Sequence, residues 1–118
     1  MIDLEGAVLS TISTVGNGKA TVLVKGSLDL ETTPRFKDFL TRLISEATGG
    51  KLQELVFDTA ELYLMSSSAI SSFASFLKGV KALQHRCLVT FRTSAAHGWQ
   101  RRTFEPLRRL AEDIVRVE

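Results

Sequence analysis

Apolar residues recur along this chain with two different periods, and the alternation between them predicts an order of elements. Residues 7–15 place Val8, Leu9, Ile12 and Val15 among serines and threonines, a strand-like composition. Gly16-Asn17-Gly18 follows, and Asn-Gly favours a hairpin because both turn residues can hold positive φ. A return strand is expected over 19–25, centred on Val22-Leu23-Val24, with residues 26–30 leaving it as an irregular loop. Thr33-Pro34 reads as a hydroxyl cap and a proline at the first helical position. Phe36, Phe39, Leu40, Leu43 and Ala47 then fall on one helical face, and Gly49-Gly50 suits the helix end.

The second half repeats the scheme. Residues 52–57 form a third predicted strand, and the unbroken Leu55-Val56-Phe57 implies burial on both faces. A second apolar patch, Leu62-Tyr63-Leu64-Met65, feeds Ser66-Ser67-Ser68. Ile70, Phe73, Leu77 and Val80 hold helical spacing, which predicts a helix over 69–83. Gly79 costs that helix about 1 kcal/mol relative to alanine, so it marks close packing. A fourth strand is expected over 86–91, and Thr93-Ser94 is expected to cap a third helix through Trp99 and Phe104. Pro106 lacks the N–H that would reach Arg102, so this helix should kink or restart there. Residues 114–117 read as a last short strand.

The resulting order, β-β-α-β-α-β-α-β, implies an α/β fold: a mixed, mostly parallel sheet with an N-terminal hairpin, packed by helices. The strands at 52–57 and 86–91 should lie parallel to 19–25. Residues 1–118 read as a single domain, long enough to bury a core without disulfide or metal. Apolar content of 44% with 24% charged residues is ordinary for a soluble globular protein.

Charge and chemistry narrow the function classes. A net charge of +2 gives no ground for direct nucleic-acid binding. No window reaches the ~18 apolar residues of a membrane span, and the acidic start lacks a signal-peptide flank, so a cytoplasmic location without membrane insertion is expected. Cys87 is the only cysteine and reads as a buried, inert thiol. His85 and His97 have no cluster of acids or thiols at ligand spacing, there is no glycine-rich phosphate loop, and no nucleophile elbow surrounds a serine. No metal, cofactor or catalytic residue is therefore expected. Lys78, Lys81, Arg86, Arg92, Arg101, Arg102, Arg108 and Arg109 crowd the C-terminal half, either as a solvated face or as a patch for an acidic partner or anionic surface.

The serines stand out. Hydroxyls just before a helix accept bonds from its free first-turn N–H groups, and the same positive end tolerates a phosphate. Ser66-Ser67-Ser68 is therefore either a plain cap or a switch. Ser67 should be exposed, between a largely buried Met65 and Ile70.

Three pieces of the chain, in this order, resemble the STAS domain of bacterial anti-sigma factor antagonists. Residues 26–34, from Gly26-Ser27-Leu28-Asp29 through Thr33-Pro34, resemble the family's G-x-L-D-x-x-T-x-P loop. Val56-Phe57-Asp58 is similar to its V-L-D-L strand, and Met65-Ser66-Ser67-Ser68-Ala69-Ile70 to its I-D-S-S-G-L turn. The resemblance implies a STAS-like fold, phosphorylation at Ser67, and a partner-binding surface including Asp29, Thr33, Ser66, Ser68 and Ala69. It implies as partners a serine-kinase anti-sigma factor or related regulatory kinase, and a phosphatase. The chain departs from the pattern at Ser66, where the family usually has aspartate, and at Ala69, where it has glycine and the extra methyl lies near the backbone. Two other functions fit the same fold: a non-phosphorylated subunit of a membrane lipid- or anion-transport assembly, and a small-ligand sensor.

Overall fold

The computed structural model describes residues 2–4, 7–14, 18–48, 52–83 and 86–118. Its strands are β1 (Ile2–Leu4), β2 (Ala7–Thr14), β3 (Lys19–Leu28), β4 (Glu54–Asp58), β5 (Leu62–Met65), β6 (Leu88–Arg92) and β7 (Val115–Val117). The helices are α1 (Thr33–Thr48), α2 (Ser67–Lys81) and α3 (Gly98–Arg108), the last followed by a 3-10 turn, Arg109–Ala111. The sheet runs β1-β2-β3-β4-β6-β7, with β5 paired separately to β3. β2 meets β3 antiparallel, from Ala7 opposite Gly26 to Thr14 opposite Lys19, as a hairpin requires. β4 is parallel to β3 and to β6, and β6 to β7, so the predicted mixed, mostly parallel sheet is the one that forms. Most of the expected turn, through Asn17, lies outside the described residues; Gly18 closes it with φ 66°.

Alternation along β3 sets which face is covered. Ala20, Val22 and Val24 are buried, whereas Lys19, Thr21 and Leu23 are only half-buried. Side chains of successive strand residues point to opposite faces, so the first set faces the helices and the second the open side. Phe73 of α2 is the hub of the covered side. Its ring stands edge-on to Phe36 of α1, Phe57 of β4, Phe91 of β6 and Phe104 of α3, at centroid distances of 4.9, 5.3, 5.3 and 5.9 Å. Val56, on the open side between Thr21 and Thr90, is nevertheless buried. Continuous burial along Leu55-Val56-Phe57 thus holds, but only one of the faces is covered by helices.

Several boundaries depart from the sequence reading. β3 does not end at residue 25. Gly26, at φ 86°, lets the strand change register and continue to Leu28, where it pairs with β5. Leu62–Met65 is a strand of its own, missing from the predicted order, as is β1. Helix α2 begins two residues before the expected 69 and ends at Lys81 instead of 83. The third helix starts at Gly98, with His97 as its cap residue and no side-chain cap bond, so Thr93-Ser94 does not cap it. Ser94 instead shapes the preceding turn, its Oγ accepting from the Ala96 N–H at 3.2 Å. Pro106 neither breaks nor restarts α3. It falls in the last turn, where one missing bond is tolerated as the helix tightens into the 3-10 turn.

Candidate functional site

Two loops meet where β3 and β5 end side by side. The Ser66 N–H donates to the Leu28 carbonyl at 2.7 Å, fastening the start of α2 to the end of β3. From there β3 turns into α1 through Asp29, whose carboxylate accepts from the backbone N–H groups of Glu31 and Thr32, each at 3.0 Å. An aspartate side chain closing on its own following backbone is a self-contained turn. The Thr33 hydroxyl donates back to the Asp29 carbonyl at 2.6 Å and lies 3.3 Å from Ser66 Oγ. Thr33 is thus the bridge between the two loops, and its side chain does not cap α1. Thr32 occupies that junction, its carbonyl accepting the Phe36 N–H at 3.1 Å, so Pro34 stands second in the helix.

The three serines divide the work. Ser66 is extended, at φ −67° and ψ 160°, and its Oγ accepts from the Ala69 N–H at 3.1 Å. That bond satisfies one of the four free donors of the first turn. Ser67 is the first helical residue; it is exposed, and its hydroxyl has no partner among the described residues. Ser68 is also exposed and lines a cleft of about 460 Å³ between α1 and α2, with Thr33, Lys37, Ser71 and Ser75. Its carbonyl accepts from Ser72 Oγ at 2.9 Å. The structure therefore brings Asp29, Thr33, Ser66, Ser67 and Ser68 together at one end of the sheet.

Ala69 sits differently. It is fully buried, so its methyl points into the core instead of standing beside the exposed backbone. Met65 and Ile70 are half-buried, not largely buried as expected. Met65 ends β5, and Ile70 lies at the margin of the buried face of α2, both packed against the core.

Around the serines, sequence patterning missed two features. Leu30, Tyr63 and Leu64 are 68%, 62% and 53% exposed, an apolar fringe around the point where Ser66 meets Leu28. Gln100, on α3, is fully buried. Its Nε2 donates to the carbonyls of Thr59 and Leu62, at 2.6 and 2.8 Å, and its Oε1 accepts from the Ser94 N–H at 2.8 Å. Gln100 thereby fixes the loop that launches β5 and, through β5, the serine turn. The available signal was its place at i, i+4 and i+7 with Phe104 and Leu107, a polar residue on an apolar line.

Among the described residues no group of three His, Cys, Asp or Glu side chains is arranged to hold a metal. No described helix is long and apolar enough to cross a membrane. Cys87 is buried, and burial pushes its thiol above the ordinary range.

By sequence, no curated protein matches the chain. Among solved structures it is similar to an anti-sigma factor antagonist from Mycobacterium paratuberculosis, at 14% identity and a TM-score of 0.63, over 86% of this chain and 81% of that one. The Bacillus cell fate determinant SpoIIAA in its phosphorylated form aligns at 13% identity and a TM-score of 0.62, over 94% and 91%. A chain in the complex of the diguanylate cyclase SiaD with its activator SiaC, from Pseudomonas aeruginosa, aligns at 11% identity and 0.55, over 96% and 94%. At these identities the likeness is one of fold. The family model of the STAS domain, however, matches residues 11–102, which span Asp29, Thr33 and all three serines of the turn. The chain belongs to the STAS domain family.

Proposed function

We propose that this protein is a regulatory protein-binding module, not an enzyme, whose docking surface surrounds the serine turn and is switched by phosphorylation of Ser67. One observation carries the reading: Ser66 alone caps α2, so the neighbouring Ser67 hydroxyl stands exposed and unbonded at the helix N-terminus. A phosphoryl group there adds about −1.5 to −2 charges. The positive end of α2 accommodates that charge within the protein. On a surface fringed by Leu30, Tyr63 and Leu64 it strips a docked partner of its apolar contacts. Asp29, Thr33, Ser66 and Ser68 frame the acceptor, with Ala69 supporting it from beneath.

The partners that fit are a serine-kinase anti-sigma factor, or a related regulatory kinase, and a phosphatase that resets the switch, all in the cytoplasm. Incubation with such a purified kinase and ATP is expected to place phosphate on Ser67, read by mass spectrometry. Phosphate elsewhere, or none, would sink the switch.

A second reading is a non-phosphorylated subunit of a membrane transport assembly, docking on a cytoplasmic ATPase. It is favoured by the residue beside the acceptor: serine, not an acid, stands at position 66. Co-purification with transporter subunits, with Ser67 unmodified in the cell, would decide for it.

A further inference from the structure

The serine turn presents two exposed hydroxyls, and their surroundings differ. Successive residues of a helix stand about 100° apart around its axis, so neighbours look in different directions. Ser68 lines the cleft of about 460 Å³ between α1 and α2, and Ser67 does not. Neither hydroxyl is bonded among the described residues, although the Ser68 carbonyl accepts from Ser72 Oγ.

The cleft holds a single charge. Lys37, one turn beyond Thr33 on α1, is the one charged residue that lines it; Pro34 and hydroxyl-bearing residues supply the rest. The Thr33 and Ser72 hydroxyls already donate to backbone carbonyls, those of Asp29 and Ser68. Lys37 is exposed and makes no ion pair among the described residues. Asp38 follows it in the chain but does not line the cleft, and α2 carries no acid along its length. An ammonium offers three donors and no acceptor. The group that would complete this cleft is therefore an anion.

We propose that Ser68 is a second phosphoacceptor of the turn, and that Lys37 holds its phosphoryl group across the cleft. This rests on the reading of the turn as a kinase substrate. In the transfer, Ser68 Oγ bonds to the γ-phosphorus of ATP and the bond to the bridging oxygen breaks. ADP leaves with that oxygen, and the hydroxyl proton passes to the base of the kinase. The product sets about −1.5 to −2 charges and three acceptor oxygens on the cleft wall that faces the ammonium, a charge-assisted pairing that ties α1 to α2. A phosphoryl group on Ser67 lies outside the cleft and stays on the docking surface. The two modifications thus differ in effect: one repels a partner, and the other braces the two helices beside the docking surface.

The test uses the full chain with phosphoserine inserted during translation at position 67 or at position 68. Each phosphate is titrated by phosphorus NMR. The second ionisation of phosphoserine lies at about 6, and a neighbouring cation lowers it. It should be lower at position 68 than at 67 by about half a unit or more. Lys37→Gln should remove that difference, and Lys37→Arg should keep it. Thermal denaturation should agree: Lys37→Gln should cost more in the chain phosphorylated at 68 than in the unmodified chain, and added salt should shrink the excess. Lys37→Gln acting equally on the two phosphates, or on neither, overturns the clamp. Incubating wild type and Ser67→Ala with the purified kinase and ATP tests the acceptor, and mass spectrometry should find phosphate on Ser68 in both. Phosphate on Ser67 of the wild type, with Ser68 unmodified in both chains, overturns this proposal and leaves the switch standing. Phosphate on Ser68 alone supports the proposal and removes the switch from Ser67, whereas no phosphate on either serine overturns both.

Discussion

Gln100, Ser66, Ser67 and Cys87 each lead to a measurable consequence of a single side chain. Replacing Gln100 with leucine leaves the Ser94 N–H and the Leu62 carbonyl without the partners that Gln100 supplies. A buried group left unpaired costs about 1–3 kcal/mol. Thermal denaturation of Gln100→Leu is therefore expected to show a loss of at least about 2 kcal/mol, with α3 and β5 exchanging amide protons faster. Ser66 and Ser67 should behave oppositely. Ser66→Ala removes a cap and should cost about 1 kcal/mol, while Ser67→Ala removes a hydroxyl bonded to nothing and should cost almost nothing. Ser67→Asp adds a charge that the helix dipole favours by about 0.3–1 kcal/mol. It should hold the melting temperature while lowering partner affinity at least tenfold in calorimetry; equal affinity with both proteins folded moves the docking surface elsewhere. Cys87 gives the pH response. Its thiol is raised in the folded state, so the fold holds the proton more tightly than the unfolded chain. Stability should then fall as pH rises above the ordinary thiol range, near 8.5, and thiol reagents should react only on unfolding. At this scale the serine cap and the exposure of Ser67 were legible in the sequence. The Gln100 bonds were not, because all three of their partners are backbone groups and two of them lie 41 and 38 residues away in the chain.

Legibility varied with length and periodicity among the elements. α1 and α2 each carry more than three turns of apolar spacing, and both were found within two residues. β5 is short and lacks alternation: Leu62 is buried but Tyr63 and Leu64 are both exposed, so neither strand period nor burial announced it. β3 was cut short at Gly26 because glycine usually ends a strand, whereas here its positive φ bends one onward. Gly79 was read correctly as a close approach. A methyl there would press on Ile44 Cδ1, the mobile end of a half-buried side chain that can turn aside. Helix propensity favours alanine by about 1 kcal/mol. Gly79→Ala should therefore stabilise the protein slightly, and Gly79→Val, with two more methyl groups at the contact, should destabilise it by chemical denaturation. A loss with alanine would mean that α1 and α2 cannot shift.

For the whole molecule, the covered and open faces of the sheet have different roles. The helices bury the aromatic cluster around Phe73, and truncating so central a ring typically costs about 3–5 kcal/mol. Phe73→Ala is accordingly expected to remove most of the stability of a domain of this size, whereas Thr90→Ala on the open face should stay within about 0.5 kcal/mol. Urea unfolding of the pair distinguishes them directly; similar losses would mean that the open face is covered in solution.

The strands other than β5 stand side by side in the order in which they occur in the chain. During synthesis, each new strand beyond the hairpin can therefore join an edge that is already present, once the helical crossover that precedes it has folded back. The sheet can grow as the polypeptide leaves the ribosome. Its interior cannot be finished so early, because Phe104, which stacks on Phe91 and meets Phe73, follows every strand but β7 in the chain. Nascent chains stalled before residue 98 should then be cut readily by protease. Chains extended past β7 and clear of the exit tunnel should resist. Equal resistance at both lengths would show that the first two helices and their strands form a stable unit before the third helix arrives.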